Sequence, residues 1–441
     1  MVTNSQAQEF ELTGPQASGY DQNWSGGKVL RFASLSWLVP AIMLLSVLVT
    51  LAFWRFLPND FRANEQSDYH EFYKPVAESI LAGQGFSTTV ENPATKYPPG
   101  YPLLLAGLFK LGGLFGLSEE LSLSGLAIIS MALTSLFVFL LTRDIFGPLA
   151  GIISAVLWMT YPFALWLTKQ PNSELPFMVV FYSALCLLWF TASRQKAAGL
   201  YFLCGLMFGA AMLIRPIAFG ICLVLSALLW LGQRQLAAKA RVLGIMLLLL
   251  GNLVAVLPWE TWVYLKTGHV ILLSSNGVKS INDGLTLESR GYRQNVSLPP
   301  DVIQVMNDIH NAPGQSGIKA LASLVLHEAR THPVAVFKLL LLKAARSWYG
   351  TDSQRMERLI LAIQLVYMLL IAIGVSRLWR RGGSHRRLAI GTLLVVGYFW
   401  GMTVLALSIL RYMVPAIALL FVLLAGSCTR SSSRRLDRAG S

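Results

Sequence analysis

The chain has 441 residues, 54% of them hydrophobic against roughly 45–50% in an average soluble protein, and only 13% charged. With a mean hydropathy of +0.55, these values exclude a disordered chain, a coiled coil, a disulfide scaffold and an ordinary cytosolic enzyme. The four cysteines, Cys186, Cys204, Cys222 and Cys428, all lie in apolar runs without a CxxC pair, so neither a zinc site nor a disulfide framework is indicated, and Cys186, Cys204 and Cys222 read as buried small hydrophobes. A net charge of +14 raises nucleic acid as a partner, and the position of the charge decides against it.

A membrane span needs about 20 mainly apolar residues. Ten candidates occur in chain order: 36–57, 121–142, 149–167, 175–193, 199–214, 217–233, 242–262, 357–378, 388–410 and 413–428. The expected fold class is therefore an all-α polytopic membrane protein of about ten transmembrane helices. The first span follows a polar tail, 1–35, unlike a cleaved signal peptide. With the N-terminus inside, the short cytoplasmic loops and tails hold 17 Lys and Arg and five acids, a balance of +12, and the outer segments carry +2. The basic excess is topological, as expected where Lys and Arg set orientation. No basic-aromatic platform accompanies it, so no nucleic acid is expected. The chain thus divides into the tail 1–35, a membrane module 36–262, a loop region 263–356, C-terminal spans 357–428 and a basic tail 429–441. Both tails are expected to be cytoplasmic, in a plasma (inner) membrane.

Two outer segments, 58–120 and 264–355, are too long to be simple connectors. Within them, Gly100–Leu117 is apolar but Gly-rich and interrupted by Lys110, and Val334–Tyr349 carries Lys338, Lys343 and Arg346 among leucines. Both are expected to be interfacial helices.

The first outer loop opens with SDYHEFYKPVAESILAGQGF, which places Asp68, His70 and Glu71 within one turn of a helix. A carboxylate there could act as general base on a hydroxyl; Asp68 could equally cap the helix that follows. In TKYPPGYPLLLAG, the prolines fix an extended backbone before a helix and present Lys96 and Tyr97 at its edge. Lys96 could meet a phosphate or simply snorkel. Glu174 lies in the short loop PNSELPF, Arg215 in LIRPIAF and Arg411 in ILRYMVPA, all at the expected outer face. For each arginine the alternatives are a cavity-facing charge and an interfacial anchor. Acids and bases converging on one wet cavity would suit a phosphate-bearing lipid. HEARTH, from His327 to His332, spaces its histidines by five rather than the four that place two on one helical face, so no metal is expected. Asn23 and Asn295 begin N-x-S sequons, a motif too frequent to use.

Taken in order, DYHEFYKPVAESILAGQG (68–85), KYPPGYPLLLAGL (96–108), LTRDIFG (141–147), PNSELPF (171–177), LIRPIAF (213–219), LPWETWVYLKTGHVILLSSNG (257–277) and RYMVPAIALL (411–420) resemble the GT-C superfamily of membrane glycosyltransferases. The closer resemblance is to the branch of protein mannosyltransferases and the bacterial aminoarabinose transferase that modifies lipid A. It implies transfer of a sugar from a polyprenyl-phosphate donor to a hydroxyl acceptor at the outer face, with inversion and no required cofactor. The early acid, Asp68 or its neighbour Glu71, would activate the acceptor, and Glu174 takes the second acidic position. Lys96, Arg215 and Arg411 would bind the donor phosphate, with Tyr69, Tyr97 and Tyr101 contacting donor or acceptor. The family often has an adjacent DE pair where this chain has Asp68-Tyr69. The alternatives are a transporter or flippase of lipid-linked intermediates, which would call for inverted repeats and charges at mid-membrane depth, and a non-catalytic binder of lipid carriers.

Overall fold

The computed structural model describes residues 37–58, 68–194, 197–233, 236–287, 298–311, 317–351 and 356–429. The N-terminal tail up to 36, the basic tail from 430 and both sequons, Asn23 and Asn295, lie outside the described residues. The chain divides into Met1–Ala41 and Ile42–Ser441. The first unit is described only from residue 37, where it opens helix α1, Leu38–Phe56.

Among the described residues every expected span is helical, one of them broken into two helices. After α1 come a π-helical turn, Tyr69–Tyr73, and α2, Lys74–Leu81. Next are α3 (Gly100–Leu114), α4 (Glu119–Phe146), α5 (Pro148–Met159), α6 (Pro162–Thr168) and α7 (Glu174–Ser193). Then follow α8 (Gly199–Ile214), a 3₁₀ turn (Pro216–Ala218), α9 (Ile221–Gly232) and α10 (Ala238–Thr267). The second long connection folds into α11 (Asn276–Thr286), α12 (Pro300–Asn311), α13 (Ile318–Thr331) and α14 (Pro333–Arg346). The chain returns to the bundle with α15 (Glu357–Arg381), α16 (Gly383–Leu405) and α17 (Leu410–Cys428). Among the described residues seven helices (α1, α4, α7, α10, α15, α16 and α17) are long and apolar enough to cross a membrane. The protein is a multi-pass membrane protein.

The other three expected spans depart from a straight crossing. The span expected at 149–167 is broken into α5 and α6, bent by 58°. Tyr161 is extended because it precedes Pro162, and Pro162 has no N–H with which to continue the helix. The buried Tyr161 hydroxyl then donates to Gln364 of α15 at 2.9 Å. Helix α8 has 16 residues, about 24 Å at 1.5 Å per residue, short of the roughly 30 Å hydrocarbon core. Helix α9 is shorter still, with 12 residues.

Polar stripes and glycines, rather than apolar faces, mark the helix contacts, as expected where lipid is as apolar as leucine. On α1, Ser46 and Thr50 are buried while Leu44, Leu48 and Leu51 are exposed, and the Ser46 hydroxyl meets that of Ser135 on α4 at 3.0 Å. Helices α8 and α10 touch backbone to backbone: a Cβ on Gly205 would lie 2.1 Å from the Leu248 carbonyl oxygen, and one on Gly251 would lie 2.1 Å from that of Phe202. Helix α17 is the centre of the bundle, buried along nearly its whole length. Its last carbonyls, at Gly426 and Ser427, accept from Arg381 at 3.1 and 2.7 Å.

Helices α11 to α14 share a core of their own, built on Leu285, Val305, Met306, Ile309, Leu321 and Leu339. The Val334–Tyr349 stretch is thus two-sided. Ala335, Val336 and Leu339 of α14 enter that core, and Val334, Phe337 and Leu341 stay exposed. Lys343 and Arg346 turn inward, against the open end of the bundle. Lys343 Nζ donates to the Ala406 carbonyl at 3.1 Å, and Arg346 pairs with Glu357 at 3.1 Å.

Candidate active site

Chain breaks that follow from proline place the candidate residues. Arg215 ends α8 in an extended conformation (φ −142°, ψ 122°) because Pro216 follows it. Its guanidinium reaches Glu174 at 2.8 Å and donates to the Ser173 hydroxyl at 2.9 Å. Glu174 sits in the first turn of α7, where the positive end of the helix dipole favours a carboxylate. Asn172 does the capping there: its side-chain oxygen accepts from the Leu175 N–H at 3.3 Å, and its amide donates to the Leu167 and Gln170 carbonyls. Ser173 and Glu174 are left to the arginines. Arg411, in the first turn of α17, approaches the same Glu174 oxygen at 3.4 Å. Tyr412 lies beneath both guanidiniums, 5.0 Å from Arg215 and 5.3 Å from Arg411.

The first long connection supplies the second half of the site. Asp68 makes no side-chain capping bond, which removes the capping alternative. It accepts instead from the Tyr97 hydroxyl at 2.9 Å, and Lys96 lies 3.8 Å from it and 3.9 Å from Glu71. The Glu71 side chain is 65% exposed and that of Asp68 29%. Between them the π-helical turn buries Tyr69, Phe72 and Tyr73. Such turns recur at functional sites because they shift side chains off the regular helical faces.

Tyr73 joins the two halves. It stacks on Tyr97 (5.0 Å, 27°) and meets Tyr101 edge-on. Burial pushes its hydroxyl well above the usual range, against the pull of Arg215 and of Ser173, with Asp68 and Glu174 adding to the rise. The Tyr97 hydroxyl is raised too, first by burial and then by the Asp68 carboxylate, so it remains a proton donor at physiological pH.

A close packing contact holds the halves in register. A Cβ on Gly100 would lie 2.6 Å from the carbonyl carbon and oxygen of Leu213, so only glycine lets α3 begin against the end of α8, two residues before Arg215. From the other side, LSSNG docks on the lysine loop. The Ser275 N–H donates to the Thr95 carbonyl at 3.0 Å, the Ser274 hydroxyl to that of Lys96, and the Asn276 amide to the Tyr97 hydroxyl at 3.4 Å.

The fold thus brings together Asp68, Glu71, Lys96 and Tyr97, and beside them Glu174, Arg215 and Arg411. Tyr69 is placed differently: its hydroxyl donates to Glu119, whose other oxygen holds Lys74 at 2.7 Å, so it ties the π turn to α4. Tyr101 is buried and borders a small recess with Leu123, Ala127, Asn172 and Leu175. Tyr73, Ser173, Tyr412 and Asn276 join the site without a sequence signal of their own beyond lying inside the segments that carry the family resemblance.

Residues 96–262 match the model of the dolichyl-phosphate-mannose-protein mannosyltransferase family. The stretch contains Lys96, Tyr97, Tyr101, Glu174 and Arg215 and leaves Asp68, Glu71 and Arg411 outside. No curated protein matches the chain. Among solved structures it is similar to the archaeal oligosaccharyltransferase AglB from Archaeoglobus fulgidus, in complex with an inhibitory peptide and a dolichol-phosphate. The TM-score is 0.51 and the identity 15%, over 89% of this chain and 50% of that one. An Archaeoglobus fulgidus oligosaccharyltransferase tethered with an acceptor peptide gives a TM-score of 0.50 at 13% identity, over 92% and 53%. ArnT from Cupriavidus metallidurans, bound to undecaprenyl phosphate, aligns at 14% identity over 91% and 78% with a TM-score of 0.39, below the level that indicates a shared fold. The chain spans about half the length of the oligosaccharyltransferases it matches. The likeness is one of fold, and it agrees with the all-α multi-pass architecture expected from the sequence.

Proposed function

We propose that this protein is a membrane glycosyltransferase that moves a sugar from a polyprenyl-phosphate carrier to a hydroxyl acceptor at the extracytoplasmic face, with inversion. The observation that carries the reading is the sharing of one carboxylate oxygen by two guanidiniums, Arg215 at 2.8 Å and Arg411 at 3.4 Å. The two guanidiniums meet at one buried carboxylate, and Arg411 stands at the N-terminus of α17, where backbone N–H groups and the helix dipole also favour an anion. A phosphate suits paired guanidiniums of this kind, and the mannosyltransferase match over 96–262 supports a lipid-phosphate donor.

In this reading Asp68 is the general base. Its carboxylate takes the proton of the acceptor hydroxyl while that oxygen bonds to the anomeric carbon from the face opposite the phosphate. The bond from the anomeric carbon to the phosphate oxygen breaks with its electron pair, and polyprenyl phosphate leaves as an anion held by Arg215, Arg411 and Lys96. Such fixed charge stabilises the developing negative charge without reorganisation. Tyr97 orients Asp68 by donating to it, and Glu174 positions the arginines rather than transferring protons. Glu71, the more exposed acid, lies near the same lysine and is the competing base.

The test is release of free polyprenyl phosphate from a labelled polyprenyl-phosphate sugar, by purified protein in lipid supplied with a crude membrane extract as acceptor source. Asp68→Asn is expected to lose about 10²–10⁴ in rate, the usual worth of a positioned base, while still binding donor. Full activity in Asp68→Asn with loss in Glu71→Gln would move the base to Glu71. Donor binding without release in the wild type would favour a transporter or binder.

A further inference from the structure

We propose that Asp308, Glu328 and His332 form a binding site for a divalent transition-metal cation, Zn²⁺ or Mn²⁺, which clasps the helices of the second long connection. It is separate from the proposed sugar-transfer site and does not depend on it. One ligand atom from each residue lies within 4.8 Å of those of the other two. The three come from different parts of the domain. Asp308 projects from the last turn of α12, Glu328 from the last turn of α13, and His332 from the joint between α13 and α14. Glu328 and His332 are four residues apart, the spacing that places two side chains on one helical face. The pairing inside HEARTH is thus Glu328 with His332, not His327 with His332, and the third donor comes from another helix.

A second observation points into the same place. Glu328 is 5% exposed, and its Oε2 is buried with no hydrogen-bond partner among the described residues. A buried carboxylate oxygen left without a donor is costly, and a cation bound there would satisfy it.

Two carboxylates and an imidazole suit these metals: Zn²⁺ takes nitrogen and oxygen donors at about 2.0–2.2 Å, the imidazole favours it over Ca²⁺ with its all-oxygen sets, and the two carboxylates suit Mn²⁺. Tetrahedral binding at that length needs donor atoms about 3.4 Å apart. Asp308 is exposed on its helix, so a side-chain rotation closes the remaining gap. Val305, Met306 and Ile309 anchor α12 in the same core that holds Leu321 of α13 and Val336 of α14. The backbone around the three donors is therefore fixed, and the cation would join the ends of α12 and α13 to the start of α14.

The experiment uses the full chain in detergent, with its affinity tag removed, stripped with chelator and then passed over a desalting column after incubation with Zn²⁺, Mn²⁺ or Ca²⁺ alone. Elemental analysis and thermal unfolding are read for wild type, Asp308→Asn and His332→Ala. The expected result is about one equivalent of Zn²⁺ or Mn²⁺ retained by the wild type, with a raised melting temperature because the metal binds only the folded chain. Both effects should vanish in the variants, whose metal-free melting temperatures match that of metal-free wild type. No retained transition metal in the wild type, equal retention in His332→Ala, or retention of Ca²⁺ in preference to Zn²⁺ and Mn²⁺ would overturn the proposal.

Discussion

Glu174 shows what a single charge does in this site. Its side chain is 3% exposed and faces two guanidiniums. Removing one partner of a buried ion pair typically costs about 3–5 kcal/mol, because the remaining charge is left uncompensated. Glu174→Gln is therefore expected to lower the melting temperature in detergent and to raise the KM for the proposed lipid-phosphate donor, as Arg215 and Arg411 lose their common anchor. Tyr97 acts on Asp68 in the same indirect way. Its hydroxyl is held protonated by burial and by the neighbouring carboxylate, so it donates to Asp68 at every working pH. A hydrogen bond to a charged group is worth about 1.5–3 kcal/mol. Tyr97→Phe should then lower kcat by roughly ten- to a hundredfold with donor binding little changed, which steady-state kinetics over donor concentration would show.

Among elements, the start of α3 and the end of α8 decide whether the two halves of the site meet. The only side chain that fits between Gly100 and the Leu213 carbonyl is none, since a Cβ would lie 2.6 Å away. Gly100→Ala must push α3 off α8 and carry Lys96 away from Arg215. Overpacking of this kind costs about 1–3 kcal/mol, and here the loss of sugar transfer is expected to exceed what that destabilisation alone produces. Gly251→Ala, whose Cβ would meet the Phe202 carbonyl at 2.1 Å, serves as the comparison. It lies within the α8–α10 contact and should lower the melting temperature with a smaller effect on turnover per folded molecule. Measuring both quantities on both variants separates site geometry from general packing.

On the scale of the whole molecule, the helical domain of α11 to α14 is joined to the bundle through two buried basic side chains, Lys343 and Arg346. Lys343 is fully buried and donates to Ala406 at the end of α16; a Cβ on Gly284 would lie 2.9 Å from its nitrogen. Burial, with Arg346 adding, lowers its pKa from the ordinary 10.5 to about 7. Between those values the unfolded chain holds the proton and the folded chain does not, so stability rises with pH from about 7 upward and is lost as pH falls back through that range. The melting temperature is expected to increase between pH 7 and 9 in the wild type, and that dependence should flatten in Lys343→Met. An equal slope in both proteins would show that other groups govern it.

The chain itself determined its class and its segments. Apolar runs of about bilayer length have few alternatives to helix in a membrane, because every backbone group must find its bond within the segment. Arg215-Pro216 and Tyr161-Pro162 end helices for equally local reasons. The gathering of Asp68, Glu71, Lys96, Glu174, Arg215 and Arg411 on one face was legible because each lies outside an apolar run, in a connection or at a run's end, on the side expected to be outer. Only the tertiary structure decided which charges pair. Arg215 and Arg411 lie 196 residues apart and share Glu174 because α7, α8 and α17 end at one place. It also decided that Tyr69 turns to Glu119 while Tyr73 joins the two halves, and that Asp308 meets Glu328 and His332. Pairing depends on where helices come to lie against one another in space. Periodicity within one helix carries no record of that.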